Sequence, residues 1–430
     1  MKIAFVTVRP PYPPDSGGRI RTFQLLRRVS DTHEVTLITA HDSPREQAAL
    51  AALGAALPGL RLQPIALAPE TPVGRLWRAI RNPVDPLPYT WARYCRPRFV
   101  EHLRRALRER PYDLVHCDHV QVAHAFATLA TPARVLNLHN VESLLIRRLA
   151  AEARPWWRRM ALAWQASKVV VAETRILGLF DRCLAVSKLD AAEIQRLAPG
   201  TAVSVVPNGV DLSQFTPSVG EGLPHLLVFS GAMDWLPNID GVRYFVREVL
   251  PRIRQRHAEA ELLVVGRNPS DSLVRELAGG GVRFTGTVDD VRPHLAQARL
   301  VIVPLRAGGG TRLKILEAWA LGKPVLSTTI GAEGLPAEDG KNIALADSPD
   351  AFAQRAVQLL SDPRAAATLA AAGRRVVEEH YGWDRVAHDL LEAYELTRHG
   401  LGDAGPSAPC RSTGGGTSGM SMSRRSGSRR

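Results

Sequence analysis

Short apolar runs separated by amphipathic segments repeat along almost the whole chain. KIAFVTV, EVTLITA, LRLQPIAL, YDLVHC and ARVLNLH read as strands, while RIRTFQLLRRV and RFVEHLRRAL carry apolar residues at helical spacing. The stretch from about Glu142 to Leu179 reads as one long helix, followed by the strand RCLAVS and a helix from Leu189. A polar, Pro/Gly-bearing segment leading to Pro224 then interrupts the pattern, as a domain boundary does. Alternation resumes with HLLVFSGAM, a helix from about Gly241 to Ala258, AELLVVG, VRFTGTV, RLVIVP, a further helix and KPVLST. Another helix begins near Pro349, and a last one runs from about Trp383 to Arg398. This order predicts an α/β protein with two doubly wound, Rossmann-like domains facing each other across a cleft. Ligands of such sheets bind outside the carboxyl ends of the strands. The expected divisions are 1–207 and 208–382 for the domains, 383–401 for a helix returning to the first domain, and 402–430 for a tail.

One junction in this pattern carries chemistry. LVIVP runs into Gly308-Gly309-Gly310-Thr311, then Arg312 and Lys314, then a helix with a single acid, Glu317. A strand, a glycine loop and a helix start form an anion site, because free backbone N–H groups and the helix dipole face the ligand. Arg312 and Lys314 add full charges where a diphosphate would sit, and Glu317 can accept from ribose hydroxyls. An ordinary crossover with solvated basic residues satisfies the same pattern.

Composition narrows the class. The chain has 430 residues, 45% hydrophobic and 23% charged, and no apolar run long enough to span a bilayer. The N-terminus lacks the long apolar core and cleavage site of a signal peptide. Four dispersed cysteines (Cys95, Cys117, Cys183, Cys410) without CxxC spacing predict a reducing cytoplasm and neither disulfides nor zinc. The net charge of +13 has two sources. One is the Ser/Gly-rich tail ending SRRSGSRR, expected to be disordered. The other lies in the first half, with ten arginines against three acids between Arg75 and Arg110, followed by Arg147-Arg148 and RPWWRRMALAW. Arginines beside tryptophans on a helix can hold a protein on an anionic membrane face, and a solvated arginine-rich helix has the same composition. No aromatic RNA motif or recognition helix is present, which argues against nucleic acid as a partner.

Gly17 and Gly18 close the loop after the first strand, a second place for amides to meet an anion or sugar, or simply a tight turn. His139 follows the strand ARVLNLH, and Asp118 and His119 follow DLVHC, positions where α/β folds put reactive groups and where structural histidines also sit. In GAMDWLPN, Gly231 allows close backbone approach, and Asn238 is placed to cap the next helix or to reach the cleft. Neither half carries GxGxxG after its first strand, which excludes the usual nicotinamide site, and no GxSxG elbow is present. No HExxH, DxD or clustered Asp/His set points to a metal.

Together, PNGVD, GAMDWLPN, VVGR, FTGTVDDVRPHLAQA and GGGTRLKILEAWALGKPVLST resemble the retaining glycosyltransferases of family 4, which have the GT-B fold. The resemblance covers roughly residues 1–398 and is strongest from Pro207 to Leu335. It implies a nucleotide-sugar site in the second domain, with Glu317 on the ribose and the Val288-Asp289 turn beside the base. It also implies an acceptor site in the first domain, where Gly17, Gly18, Asp118 and His119 are the candidates by position, while His139, Arg312 and Lys314 are the candidates for catalysis. Two positions depart from the family pattern. Many members carry a glutamate where Gly309 stands, and many carry an Arg and a Lys in the loop that here reads GAMDWLPN. Arg312 and Lys314 would have to take over the diphosphate.

The expected reaction is transfer of a hexosyl group from a UDP- or GDP-sugar to a glycan or lipid-linked acceptor, in cell-surface or exopolysaccharide synthesis. No cofactor or metal is expected, because the cations can neutralise the diphosphate. No carboxylate pair offers itself for a glycosidase-like double displacement. A sugar-nucleotide epimerase of the same fold and a non-catalytic sugar-binding module are the alternatives. The expected location is cytoplasmic, peripheral on the inner face of the plasma membrane.

Overall fold

The computed structural model describes residues 1–403, apart from 86, 95, 96, 129–131, 154, 218, 219, 221 and 309–311. Cys95, Cys410, Gly309, Gly310, Thr311 and the tail from 404 onward thus lie outside the described residues.

The first domain is a parallel sheet of β1 (Lys2–Thr7), β2 (Glu34–His41), β3 (Arg61–Ala66), β4 (Leu114–Cys117), β5 (Ala133–Asn137), β6 (Arg182–Ala185) and β7 (Val203–Val205), in the order β3-β2-β1-β4-β5-β6-β7. Helices cover both faces, so the central strands are apolar throughout: Ile3, Ala4, Phe5 and Val6 are all inaccessible to solvent. Pro64, which cannot donate to a ladder, sits on the edge strand β3. The second sheet contains β8 (Leu226–Ser230), β9 (Glu261–Val265), β10 (Val282–Gly286), β11 (Leu300–Val303), β12 (Val325–Ser327) and β13 (Ala344–Leu345), in the order β10-β9-β8-β11-β12-β13.

Each sheet reverses its winding once, between β1 and β4 in the first and between β8 and β11 in the second. At such a switch point the loops leaving adjacent strands diverge and open a crevice. The chain crosses between the domains twice, and the crossings run side by side: Val210 pairs with Gly382, and the Val210 N–H donates to the Tyr381 carbonyl at 2.8 Å. Buried Arg21 holds the first crossing, donating to the carbonyls of Val206 and Pro207, each at 2.7 Å. The final helix, Trp383–Asp403, returns to the first domain, where Val386, Leu390, Ala393 and Tyr394 join the core formed by Leu25, Leu26 and Val29.

Three elements differ from expectation. The stretch 142–179 is two helices, Glu142–Glu152 and Trp156–Leu177, because Pro155 cannot occupy a helix interior. The helix expected from Gly241 begins at Leu236 and passes through a π-type turn at Phe245–Val249, just before Pro251, whose missing N–H breaks the regular ladder. A long helix at Pro363–His380 was not expected. Its start is set by Asp362, whose side chain accepts from the N–H groups of Arg364 and Ala365, each at 3.0 Å.

Candidate active site

The two switch points face each other across a cleft of about 1780 Å³. Gly17, Gly18, His119 and His139 line it from the first domain; Gly231, Val288, Arg312, Lys314 and Glu317 line it from the second. The walls meet where a Cβ on Gly17 would lie 3.1 Å from Leu313.

On the second wall the helix Leu313–Ala320 brings Lys314 and Glu317 to the same side, one turn apart. The Lys314 ammonium donates to Asn238 Oδ1 at 2.8 Å and lies 4.0 Å from the centre of the Phe229 ring. It sits directly under the loop after β8, because a Cβ on Gly231 (φ 156°) would be 2.8 Å from Nζ. A cation from the helix thus occupies the loop that lacks its own Arg and Lys. Burial, helped by Arg312, pulls the Lys314 pKa down to about 7, with Glu317 acting in the opposite direction. Burial likewise pushes Glu317 up to about 7 against the pull of Lys314. Arg312 is buried against Gly308 and donates to the Ile330 carbonyl at 3.2 Å. Burial lowers its pKa to about 10, which leaves it charged at neutral pH.

Asn238 corrects the capping expectation and meets its alternative: it lines the cleft, where it bridges the loop to the cation, donating to the Ala232 carbonyl at 2.9 Å while accepting from Lys314. Gly308 corrects another. It is buried and absent from the cleft wall; its carbonyl accepts from Arg148 at 2.8 Å, and a Cβ at its φ of 149° would strike the Arg312 guanidinium at 2.7 Å. It therefore makes room for the cation.

On the first wall Asp118 is fully buried and lies behind the cleft surface on which the sequence placed it. Its Oδ1 accepts from Asn137 at 2.6 Å and lies 3.3 Å from His139 Nε2; its Oδ2 accepts from Thr22 and lies 3.3 Å from His119 Nδ1. Burial opposes its ionisation, but His139, His119 and the hydrogen bonds hold it well below the usual carboxylate range. An ionised carboxylate can only accept, so His139 carries its proton on Nε2. Its Nδ1 faces helix Gly17–Ser30, 3.5 Å from where a Gly18 Cβ would be. Burial first, then His119, lowers the His139 pKa to about 4, so it is neutral at physiological pH. The rings of His119 and His139 stack at 4.3 Å. Behind them His116 Nδ1 lies 2.8 Å from the Tyr394 hydroxyl of the returning helix.

The ligand-type atoms of Asp118, His119 and His139 lie within 4.8 Å of one another, a grouping that the sequence does not announce because it joins the ends of two strands. In this arrangement Asp118 already accepts from Thr22 and Asn137.

Two further residues were not assigned from sequence. Glu142 lines the cleft, where Trp91 donates to it at 2.6 Å and Gln121 also donates. Burial pushes its pKa up to about 7, so the cleft does contain a second perturbed carboxyl besides Glu317. Arg148 reaches across the domains to Glu333 (Nη2 to Oε1, 2.8 Å) as well as to Gly308. A polar residue at a strand or helix end was the available signal for Glu142; nothing in the sequence marks Arg148 as a bridge.

Residues 15–214 match the profile described as Glycosyltransferase Family 4, and residues 224–362 match the one described as Glycosyl transferases group 1. The D-inositol 3-phosphate glycosyltransferase of Salinispora arenicola is 30% identical over 322 residues, 66% of this chain and 68% of that protein. The phosphatidyl-myo-inositol mannosyltransferase of Mycolicibacterium smegmatis is 30% identical over 49% of this chain and 56% of its own length. Among solved structures, sucrose-phosphate synthase from Thermosynechococcus elongatus superposes with a TM-score of 0.72 at 19% identity, over 93% of this chain and 100% of that one. Anabaena HepE in complex with UDP-glucose gives 0.65 at 14% identity, over 92% and 100%. The structural likenesses establish the fold, and the sequence matches establish the lineage: the chain is a glycosyltransferase of family 4, group 1, with the GT-B architecture of two Rossmann-like domains.

Proposed function

We propose that the chain transfers a hexosyl group, with retention, from a UDP- or GDP-sugar bound on the second wall to a glycan or lipid-linked acceptor on the first. The observation that carries this reading is the placement of Arg312, Lys314 and Glu317 on one helix start at the β8/β11 switch point, inside the cleft. Glu317 would accept from the ribose hydroxyls, and the loop at Val288 would border the base. Lys314 and Arg312 would hold the diphosphate. The complex of Anabaena HepE with UDP-glucose supports the donor class, and a GDP-mannose-dependent mannosyltransferase of Corynebacterium glutamicum among the relatives keeps GDP open.

The acceptor hydroxyl attacks the anomeric carbon on the face that the diphosphate leaves. The bond between that carbon and the phosphate oxygen breaks with its electron pair on phosphate, and the same oxygen takes the hydroxyl proton. Charge develops on the leaving group, so fixed cations lower the barrier; one such group is typically worth roughly a hundred- to a thousandfold in rate. Neutral His139, tethered by Asp118, would contact the donor sugar from the opposite wall. No cofactor enters this scheme. A lipid-linked acceptor would bring the chain to the cytoplasmic membrane face, in service of cell-surface polysaccharide.

The test is a mass-spectrometric screen of UDP- and GDP-sugars for release of the nucleoside diphosphate with and without lipid and glycan acceptors. Turnover of one donor with retained anomeric configuration is expected. Conversion of the sugar nucleotide without an acceptor would favour an epimerase, and binding without turnover a sugar-binding module.

A further inference from the structure

The first domain carries a pair of helices that turn their apolar residues outward. Helix Pro72–Arg81 has a well-formed start, with Thr71 Oγ1 accepting from the Gly74 N–H at 3.0 Å, yet none of its residues is buried. Val73, Leu76, Trp77 and Ile80 follow the spacing of one helix face, and each is 59 to 63% exposed. In helix Trp156–Leu177 the first buried residue is Ala166; Trp156, Trp157 and Met160 before it are 76, 59 and 64% exposed. The two helices are tied together. Asn82, at the C-terminal end of the first, accepts from Gln165 at 2.5 Å and, through its carbonyl, from Lys168 at 2.7 Å. The two outward faces therefore belong to one projecting element.

We infer that this element is a membrane-docking surface whose occupant is an anionic bilayer. Charge complementarity selects that occupant. Residues 72–84 and 155–172 contain no acid, while Arg75, Arg81, Arg158 and Arg159 are exposed beside the apolar face. Arginine stems can lie along acyl chains while their heads meet lipid phosphates, and tryptophan prefers the interface. The wider basic run expected from sequence is not a uniform patch, since Arg78 pairs with Glu70, Arg93 with Asp42 and Arg110 with Glu34. Among the described residues no helix is long and apolar enough to cross a membrane, so the mode of contact is surface seating. The segment after the first helix leads to Trp91, whose indole holds Glu142 in the cleft wall, so the docked element lies one connection from the acceptor side. This placement deepens the proposed transfer to a lipid-linked acceptor and rests on it only for the acceptor's source.

The experiment is co-sedimentation of the full chain with phosphatidylcholine vesicles and with mixed phosphatidylcholine–phosphatidylglycerol vesicles, in the absence of substrate. Parent protein, Leu76→Ser/Trp77→Ser, Trp156→Ser/Trp157→Ser and Arg158→Glu/Arg159→Glu are compared, with circular dichroism as a folding control. Binding of the parent to anionic vesicles alone is expected, with each variant partitioning roughly tenfold less. Variants that bind as the parent does would overturn the assignment and place the attraction elsewhere, for instance in the basic tail. A parent that ignores anionic vesicles, or one that self-associates until the serine variants dissolve the dimer, would overturn it as well. Nucleoside diphosphate binding, followed by thermal shift in the same samples, reports separately on the transferase reading: its absence from the parent would count against that reading and leave the vesicle result standing.

Discussion

On the first wall of the cleft a carboxylate is surrounded by protein donors; on the second, an ammonium and a carboxyl group are held beside an amide and an aromatic face. Asp118 has Thr22, Asn137 and three histidines around it and is stabilised in its charged form. Lys314 and Glu317 are both driven towards neutrality by burial, to about 7. The first arrangement is complete within the protein and fixes the shape and tautomer of His139. In the proposed site the second gains most when a ligand supplies charge: a diphosphate beside Lys314 would restore the ammonium, and ribose donors beside Glu317 would restore the carboxylate. One wall is preorganised geometry, and the other is electrostatic capacity set by its ligand.

The largest effect should come from removing the cation of the second wall. Lys314→Ala should lower kcat/KM roughly a hundred- to a thousandfold, with no loss of melting temperature, because a buried charge is removed along with its function. Steady-state kinetics beside calorimetry decide this; a change under about threefold would break the comparison. Next, Glu317→Ala should weaken nucleotide-sugar binding by about one to two orders of magnitude, the loss of charge-assisted hydrogen bonds. Unchanged affinity in a titration would remove Glu317 from the ribose.

The first wall should respond in the opposite sense. Asp118→Asn leaves buried ring N–H groups poorly paired and should destabilise the fold by about 1–3 kcal/mol. Nucleoside diphosphate affinity should stay within about twofold while turnover falls about tenfold through the loosened His139. A large loss of diphosphate affinity would show that the walls are not separate. The smallest expected effect is that of chelation. Activity in EDTA should remain within about twofold if Arg312 and Lys314 supply the positive charge as proposed. Complete loss, restored by magnesium or manganese, would refute that and would draw attention to the Asp118, His119 and His139 grouping.

Much of this was legible in the sequence wherever a residue's task is local. Alternating strands and helices, and the helix start that carries Arg312, Lys314 and Glu317, are encoded over a few positions, although the first helix begins at Gly17 itself and not after the glycine pair. Pairings across the fold were not. Asn238 reads as a cap until Lys314 arrives from a helix 76 residues away. Gly308 reads as a phosphate loop until the Arg312 side chain folds back over it. Asp118 reads as a cleft residue because it ends a strand, but His119 and His139 cover it. Pro155 and Pro363 did carry readable signals, for a helix break and a helix start.

The proposed site depends on Lys314 and Glu317 acting as a coupled pair tuned near neutrality to receive a nucleotide diphosphate. It is tested most directly by calorimetric titration of the selected nucleotide sugar from about pH 5 to about pH 9, a range in which its diphosphate diester does not titrate. Binding needs Lys314 protonated, so affinity should decline as pH rises above about 7; it needs Glu317 ionised, so affinity should also decline as pH falls below about 7. A maximum near neutrality is expected, with the alkaline decline removed in Lys314→Arg and the acid decline removed in Glu317→Gln. An affinity that is flat across this range, with both variants matching the parent, would contradict it.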